Sequence, residues 1–280
     1  MSGQHAKVAA AAELMPYAGY RDAVSRLSGA QKTAARGAPA YSRFVNRRLG
    51  RYLAAAAFGL GLTPNAVTAI SAVFTFSGIG LLVAFPPSWG LGIAVSLCLV
   101  VGYALDSADG QLARLTGKGS PAGEWLDHMV DSVKTSVLPL ALLVALYRFE
   151  AVDQIWLLVP LGSAVVAAVL FFSMILTEQL RRQRGVVSLA NDASGPSWLR
   201  SVLVVPMDYG VLCLSFFVYG ATPLFMAIYT AIFAATAAFL AMASVKWFRE
   251  LQILYGTPST TPPKRNQAGS GVATLSDLGA

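Results

Sequence analysis

The chain has 280 residues, of which 55% are hydrophobic and only 12% charged, and its formal net charge is +7. A mean hydropathy of +0.58 excludes an ordinary water-soluble domain and points to a chain that crosses a membrane several times. Basic residues gathered at the ends of apolar segments argue against a nucleic-acid partner and suit anionic lipid headgroups.

Residues 1–39 are alanine-rich and polar, with scattered charges, and read as a flexible tail. They hold no short apolar run followed by a cleavage site, so no signal peptide is expected. Residues 40–62 differ. Phe44, Leu49, Tyr52, Leu53 and Phe58 alternate with Arg43, Arg47, Arg48 and Arg51, which predicts an amphipathic helix lying in the membrane interface. Thr63 and Pro64 then form a helix start, with threonine at the cap and proline at the first helical position.

From residue 63 to 250 the sequence holds six apolar stretches near the length a bilayer requires, about 20 residues each. They cover approximately 66–85, 89–112, 124–147, 154–177, 199–219 and 222–246. The predicted fold is therefore all-α, a polytopic six-transmembrane-helix bundle preceded by the interfacial helix. Before residue 63 there are nine basic residues against two acidic ones. Arg114 and Lys118 follow span two, while Arg181, Arg182 and Arg184 follow span four. The opposite loops, near Phe85–Trp89 and Tyr219–Thr222, carry no lysine or arginine. By the positive-inside rule both termini and these basic loops face the cytoplasm. Cys98 and Cys213 both fall inside spans, so no disulfide framework is indicated. Asp208, two residues after Pro206, is an intramembrane acid without an assigned role, and Pro206 is expected to bend its helix. Small residues recur in span six and suit close packing within the bundle or across a homodimer. Residues 251–280 are rich in Thr, Pro, Ser and Gly and read as a disordered tail.

The cytoplasmic ends of spans two and three carry the chemistry. Asp106 and Asp109 are three residues apart, and Asp127 and Asp131 are four apart, so each pair shares one helix face. A short connection through Gly117, Lys118, Gly119, Ser120 and Pro121 would place the two helices antiparallel, with all four carboxylates in one space. Four acids there repel one another unless protonated or neutralised by cations. Hard divalent ions such as Mg²⁺ or Mn²⁺ accept oxygen ligands and commonly bridge carboxylates to substrate phosphates. Gly110 and Ala113 remove bulk beside the acids, and Arg114 offers a forked donor suited to phosphate. Lys134 lies three residues beyond Asp131, as a counter-ion or as a contact for a substrate phosphate. His128 follows Asp127 directly and is read as a packing or interfacial residue facing elsewhere.

The pattern D-x2-D-G-x2-A-R-x8-G-x3-D-x3-D, occupied here by Asp106, Asp109, Gly110, Ala113, Arg114, Gly123, Asp127 and Asp131, resembles the signature of the CDP-alcohol phosphotransferase family. Eight fixed positions match by chance with a probability on the order of 10⁻⁹ to 10⁻¹⁰ per start site, which sets coincidence aside. The resemblance implies an integral-membrane phosphotransferase of phospholipid synthesis, in the cell membrane with its active site on the cytoplasmic side. Its donor would be a CDP-alcohol, foremost CDP-diacylglycerol. Its acceptor would be an alcohol, with inositol phosphate or glycerol phosphate favoured, and CMP would leave. It implies Mg²⁺ or Mn²⁺, two ions, held by Asp106, Asp109, Asp127 and Asp131, with Asp131 also the general base. Asn65, Thr68, Asp109, Gly110, Ala113, Arg114 and Gly123 would bind the CDP-alcohol, since relatives carry a similar Pro-Asn-x-x-Thr element near the cytidine site. Lys134, Arg181 and Arg182 would hold the phosphate of the acceptor.

Other functions would also place acids in a membrane bundle. A divalent-cation transporter would not need the glycine–alanine–arginine set and would carry its acids nearer mid-membrane. An intramembrane aspartyl protease would need one acidic pair rather than two. A non-enzymatic scaffold would use the aspartates only for stability.

Overall fold

In the computed structural model, which describes residues 19–30, 41–186 and 208–256, Thr63 opens the first long helix as its sequence suggests. The Thr63 side chain accepts from the Ala66 N–H at 3.2 Å, and Pro64 occupies the first turn. Every described element is helical. α1 spans Tyr20–Ala30, and a π-helical turn at Ser42–Asn46 leads into α2, Arg47–Gly59. α3 (Pro64–Ala84), α4 (Trp89–Thr116) and α5 (Pro121–Arg148) follow. A 3₁₀ turn at Gln154–Leu157 precedes α6 (Leu158–Gln183), and α7 (Tyr209–Ser215) runs into a 3₁₀ turn at Phe216–Val218 before α8 (Thr222–Gly256).

Five helical stretches are long and apolar enough to cross a membrane: α3, α4, α5, Gln154–Gln183 and α8. They coincide with the first four and the last of the six predicted spans. The fifth predicted span is described only as the shorter Tyr209–Val218 piece. Its residues 199–207, Pro206 among them, lie outside the described residues. So do residues 257–280, 1–18 and 31–40, whereas residues 251–256, expected in the disordered tail, continue α8, and the Tyr255 hydroxyl donates to the Leu180 carbonyl at 3.0 Å.

The polypeptide stops and restarts where side chains can satisfy helix ends. Ser88 caps α4 by accepting from Leu91 N–H, and Ser120 caps α5 by accepting from Gly123 N–H. Between α4 and α5, Gly117 takes the left-handed conformation, φ +65°, that ends α4 and lets α5 return beside it. α3 and α4 cross closely at Gly102, where a Cβ would fall 2.2 Å from Thr75 Oγ1. The Ser71 hydroxyl donates to the Gly102 carbonyl at 2.8 Å in the same crossing. The main core lies on the far side of the bundle, where Leu82, Leu99, Leu142 and Leu146 pack on Phe216, Tyr219 and Phe225. α6 is peripheral, with Pro160, Ala164 and Thr177 its only buried residues.

Two expectations for the N-terminal region change. A flexible tail over 1–39 does not hold at Tyr20–Ala30, which is a helix docked by Ala23 and Leu27 against Ala54, Ala55 and Leu112. Two buried residues spaced four apart make too narrow an apolar stripe to stand out in an alanine-rich sequence. The helix at 47–59 is amphipathic in a second sense as well. Its small residues Gly50, Ala54, Ala55 and Ala57 are buried against the bundle, whereas Phe44, Leu49 and Tyr52 are exposed. Phe44, Leu49 and Tyr52 thus face outward, where lipid would lie, while Leu53 and Phe58 pack inward and the small residues let α2 approach α4 closely.

Candidate active site

The two acidic helix faces meet as their spacing predicts, and a lysine joins them. Asp106 on α4 and Asp131 on α5 both contact the Lys134 ammonium, at 2.9 Å and 2.5 Å. The contact with Asp106 is a hydrogen bond. The contact with Asp131 Oδ1 is a close ion pair. Lys134 is only 5% exposed and sits 5.6 Å from the centre of the Tyr209 ring. Its cation offsets the repulsion between two acids that sit 25 residues apart in sequence. Of its two predicted roles, counter-ion and substrate contact, the geometry supplies the first.

Asp109 is buried one turn further along α4. Its Oδ2 accepts from the Thr68 hydroxyl at 2.5 Å, and its Oδ1 accepts from the Gly110 N–H. The Thr68 oxygen also lies 3.2 Å from the Pro64 carbonyl, but one hydroxyl proton serves one acceptor at a time. Thr68 therefore orients the Asp109 carboxylate as well as lining the cleft. Asp127 stands on α5 beside His128, whose Nδ1 lies 3.9 Å from Asp127 Oδ2. One ligand atom each from Asp127, His128 and Asp131 falls within 4.8 Å of the others. His128 does not simply face elsewhere: its ring meets Phe171 edge-on and its Nδ1 is buried without a hydrogen-bond partner.

On one side of these acids opens a cleft of about 680 Å³, a size usual for small-molecule sites. Asn65 and Thr68 of α3 line one wall, Asp109, Gly110, Ala113 and Arg114 of α4 another, and Gly123 and Asp127 of α5 the third. All seven residues predicted to bind the CDP-alcohol thus share one cleft. Its glycines have separate uses. A Cβ on Gly123 would lie 3.0 Å from Asn65 Oδ1, so this residue lets α5 approach α3. A Cβ on Gly110 would meet nothing nearer than Arg114 Nη1 at 3.5 Å, so its missing side chain leaves room in the cleft instead.

A second, smaller lobe of about 260 Å³ adjoins the first and shares Asp109, Gly110, Arg114 and Asp127 with it. It adds Asp106, Ser107 and Gln111 of α4, together with Arg47 from the interfacial helix.

Arg181 and Arg182 are each held by glutamate. Arg181 makes a bidentate pair with Glu250 of α8, both bonds 2.7 Å. Arg182 reaches Glu124 at 2.7 Å, across from α6 to the start of α5. Neither lines the two lobes described above. Asp208, unassigned from sequence, is a buried cap. Its Oδ1 accepts from Gly210 N–H and its Oδ2 from Ser42 N–H, both at 3.0 Å, which ties the start of α7 to the interfacial segment.

The family model described as CDP-alcohol phosphatidyltransferase matches residues 61–253 of this chain. The chain belongs to that family. The matched region begins just before the Thr63 cap and takes in both lobes except for Arg47. Archaetidylinositol phosphate synthase of Pyrococcus horikoshii is 39% identical over 84 residues, which cover 30% of this chain and 40% of that protein. CDP-diacylglycerol–serine O-phosphatidyltransferase of Encephalitozoon cuniculi is 33% identical over 87 residues, 29% of this chain and 22% of that protein. The aligned stretches therefore span well under half of either relative.

Proposed function

We propose that this protein transfers a phosphatidyl group from a CDP-alcohol, CDP-diacylglycerol foremost, to an alcohol acceptor and releases CMP. The observation that carries this reading is a single acidic centre flanked by two lobes that share Asp109, Gly110, Arg114 and Asp127. A nucleotide in the larger lobe would lay its diphosphate across the acids, and the smaller lobe would be left for the group on the far phosphorus. The archaetidylinositol phosphate synthase likeness favours inositol phosphate as acceptor. The serine transferase likeness makes serine the next to test.

The donor set fits a divalent cation: Asp127, His128 and Asp131 present converging ligand atoms, His128 Nδ1 is buried without a hydrogen-bond partner, and carboxylate oxygens suit Mg²⁺ or Mn²⁺. Asp106, Asp109, Asp127 and Asp131 would hold such ions. A bound cation would neutralise diphosphate charge and favour departure of the nucleotide. The protein's own groups do the rest. Asn65, Thr68 and Gly123 shape the nucleotide cleft, and Gly110 and Ala113 leave it open. Arg114, which borders both lobes, binds a phosphate oxygen. Asp131 takes the proton from the acceptor hydroxyl as its oxygen bonds to the phosphorus that carries the diacylglycerol. The bond from that phosphorus to the bridging oxygen breaks, and the oxygen leaves with CMP. Positioning and charge neutralisation of this kind dominate phosphoryl transfer. Positive-inside charge supports a cytoplasmic position for the centre.

The test is CMP release by purified protein in detergent with Mn²⁺ and CDP-diacylglycerol, offering inositol phosphate, glycerol phosphate and serine separately. Release that depends on one acceptor and is lost in Asp131→Asn supports the reading. Release by none of them, with no CMP binding, overturns it.

A further inference from the structure

The interfacial helix is seated on α4 by contacts that sequence spacing does not reveal. Tyr103, Ser107 and Gln111 lie four apart on one face of α4. Against this stripe, Asn46 donates to the Tyr103 carbonyl at 3.1 Å, and Gln111 Nε2 donates to the Arg47 carbonyl at 3.1 Å. A Cβ on Gly50 would fall 2.7 Å from Ser107 Oγ and 2.8 Å from Gln111 Nε2. Only a glycine allows α2 to lie this close. Asn46 and Gln111 are buried, at 2% and 4% exposed, so these amide bonds form in a site sheltered from solvent. One turn earlier, Asp208 holds the Ser42 N–H. Four successive contacts thus fix the helix that carries Arg47.

Their common result is the position of Arg47. It is half-buried and lines the smaller lobe with Asp106, Asp109, Arg114 and Asp127, whereas its neighbour Arg48 is exposed. A membrane-surface helix needs arginines only on its outer face for lipid binding. An arginine turned inward, sharing a lobe with Arg114 beside an acidic centre, supplies the paired forked donors that phosphate takes.

We infer that Arg47 is a substrate-binding residue whose guanidinium holds a phosphate in the smaller lobe, which Arg47 lines and the larger lobe does not include. The interfacial helix is then a wall of the active site as well as a membrane anchor. The inference rests on the phosphotransferase reading and deepens it. The ligand group is a phosphate monoester or diester. It is either the phosphate of a phosphorylated acceptor or the donor phosphorus that bears the diacylglycerol.

The experiment compares wild type with Arg47→Ala, Arg47→Lys and Arg48→Ala in full-length protein, using CDP-diacylglycerol and inositol phosphate. Wild-type acceptor-dependent CMP release tests the phosphotransferase reading; the variants test Arg47. CMP binding is measured in parallel by equilibrium dialysis. Arg47→Ala is expected to raise one KM roughly tenfold to a hundredfold, the loss of a charge-assisted bond, and to leave CMP affinity unchanged. A raised KM for inositol phosphate assigns the subsite to the acceptor, and a raised KM for CDP-diacylglycerol assigns it to the donor. Arg47→Lys should fold and recover part of the effect, since it keeps charge but not the fork. Arg48→Ala should match wild type. Unchanged KM values in Arg47→Ala, or an equal effect in Arg48→Ala, would overturn the inference. A fall in thermal stability with no KM change would do the same, by showing a structural role.

Discussion

Replacing Lys134 with Met keeps a similar stem but removes the cation that joins two aspartates. Its ammonium lies 2.9 Å from Asp106 and 2.5 Å from Asp131. At an effective dielectric constant of about 20, each contact is a gross attraction of roughly 6 kcal/mol. Most of that is offset by desolvation. Removing one partner of a buried pair costs about 3–5 kcal/mol. The Asp106 and Asp131 side chains retain 17% and 23% exposure, so water screens them partly and the lower end, about 3 kcal/mol, applies. For a helical domain of this size that is a fall of roughly 6–12 °C in Tm. The acids left behind then repel one another, so a divalent cation should gain more from binding the variant than the wild type. The assay is thermal unfolding in detergent, in EDTA and over a Mn²⁺ titration. The account expects the Lys134→Met deficit in EDTA to shrink as Mn²⁺ rises. An unchanged Tm in EDTA, or Mn²⁺ protection no greater than in wild type, would refute the reasoning.

Three other substitutions probe the remaining walls. Thr68→Val removes the 2.5 Å bond that orients Asp109 and should lower kcat roughly tenfold with little change in Tm; normal kcat would show that this bond is idle. Gly123→Ala places a Cβ 3.0 Å from Asn65 Oδ1 and should raise KM for the CDP-alcohol several-fold, leaving KM for the acceptor alone; the reverse pattern would misplace the nucleotide lobe. Glu250→Gln weakens the bidentate tie between α6 and α8, whose side chains are 14% and 13% exposed, and should cost about 1–3 kcal/mol by thermal unfolding. An unaltered Tm would show that this tie does not hold the two helices together.

How much of this could be read beforehand depended on distance along the chain. Asp106 with Asp109, and Asp127 with Asp131, follow from helical spacing alone, and the cap at Thr63 follows from the Thr-Pro pair. The loop between α4 and α5 is short and glycine-rich, so bringing the two acidic faces together required no further information. The seven cleft residues were reached through the family pattern, and the structure gathers them around one opening. Contacts between helices far apart in sequence were not readable. Arg181 meets Glu250 across 69 residues, and Gln111 meets Arg47 across 64. Local pattern shows Glu178 within a turn of Arg181 and Arg182, but not their distant partners Glu250 and Glu124. His128 packs on Phe171, as a packing residue should, and spacing did not show that its ring also stays near Asp127 and Asp131. Arg47 was concealed by its surroundings, since one inward arginine among four basic residues in nine looks like one more lipid contact.

The most direct measurement follows the phosphorus. Purified protein is given CDP-diacylglycerol labelled at the phosphorus that bears the diacylglycerol, with Mn²⁺ and inositol phosphate. The account predicts that the label passes wholly into a new lipid that contains the acceptor, that the released CMP is unlabelled, and that both products vanish in Asp127→Ala. Label appearing in a released nucleotide, or in phosphatidate formed at the same rate without acceptor, would contradict it.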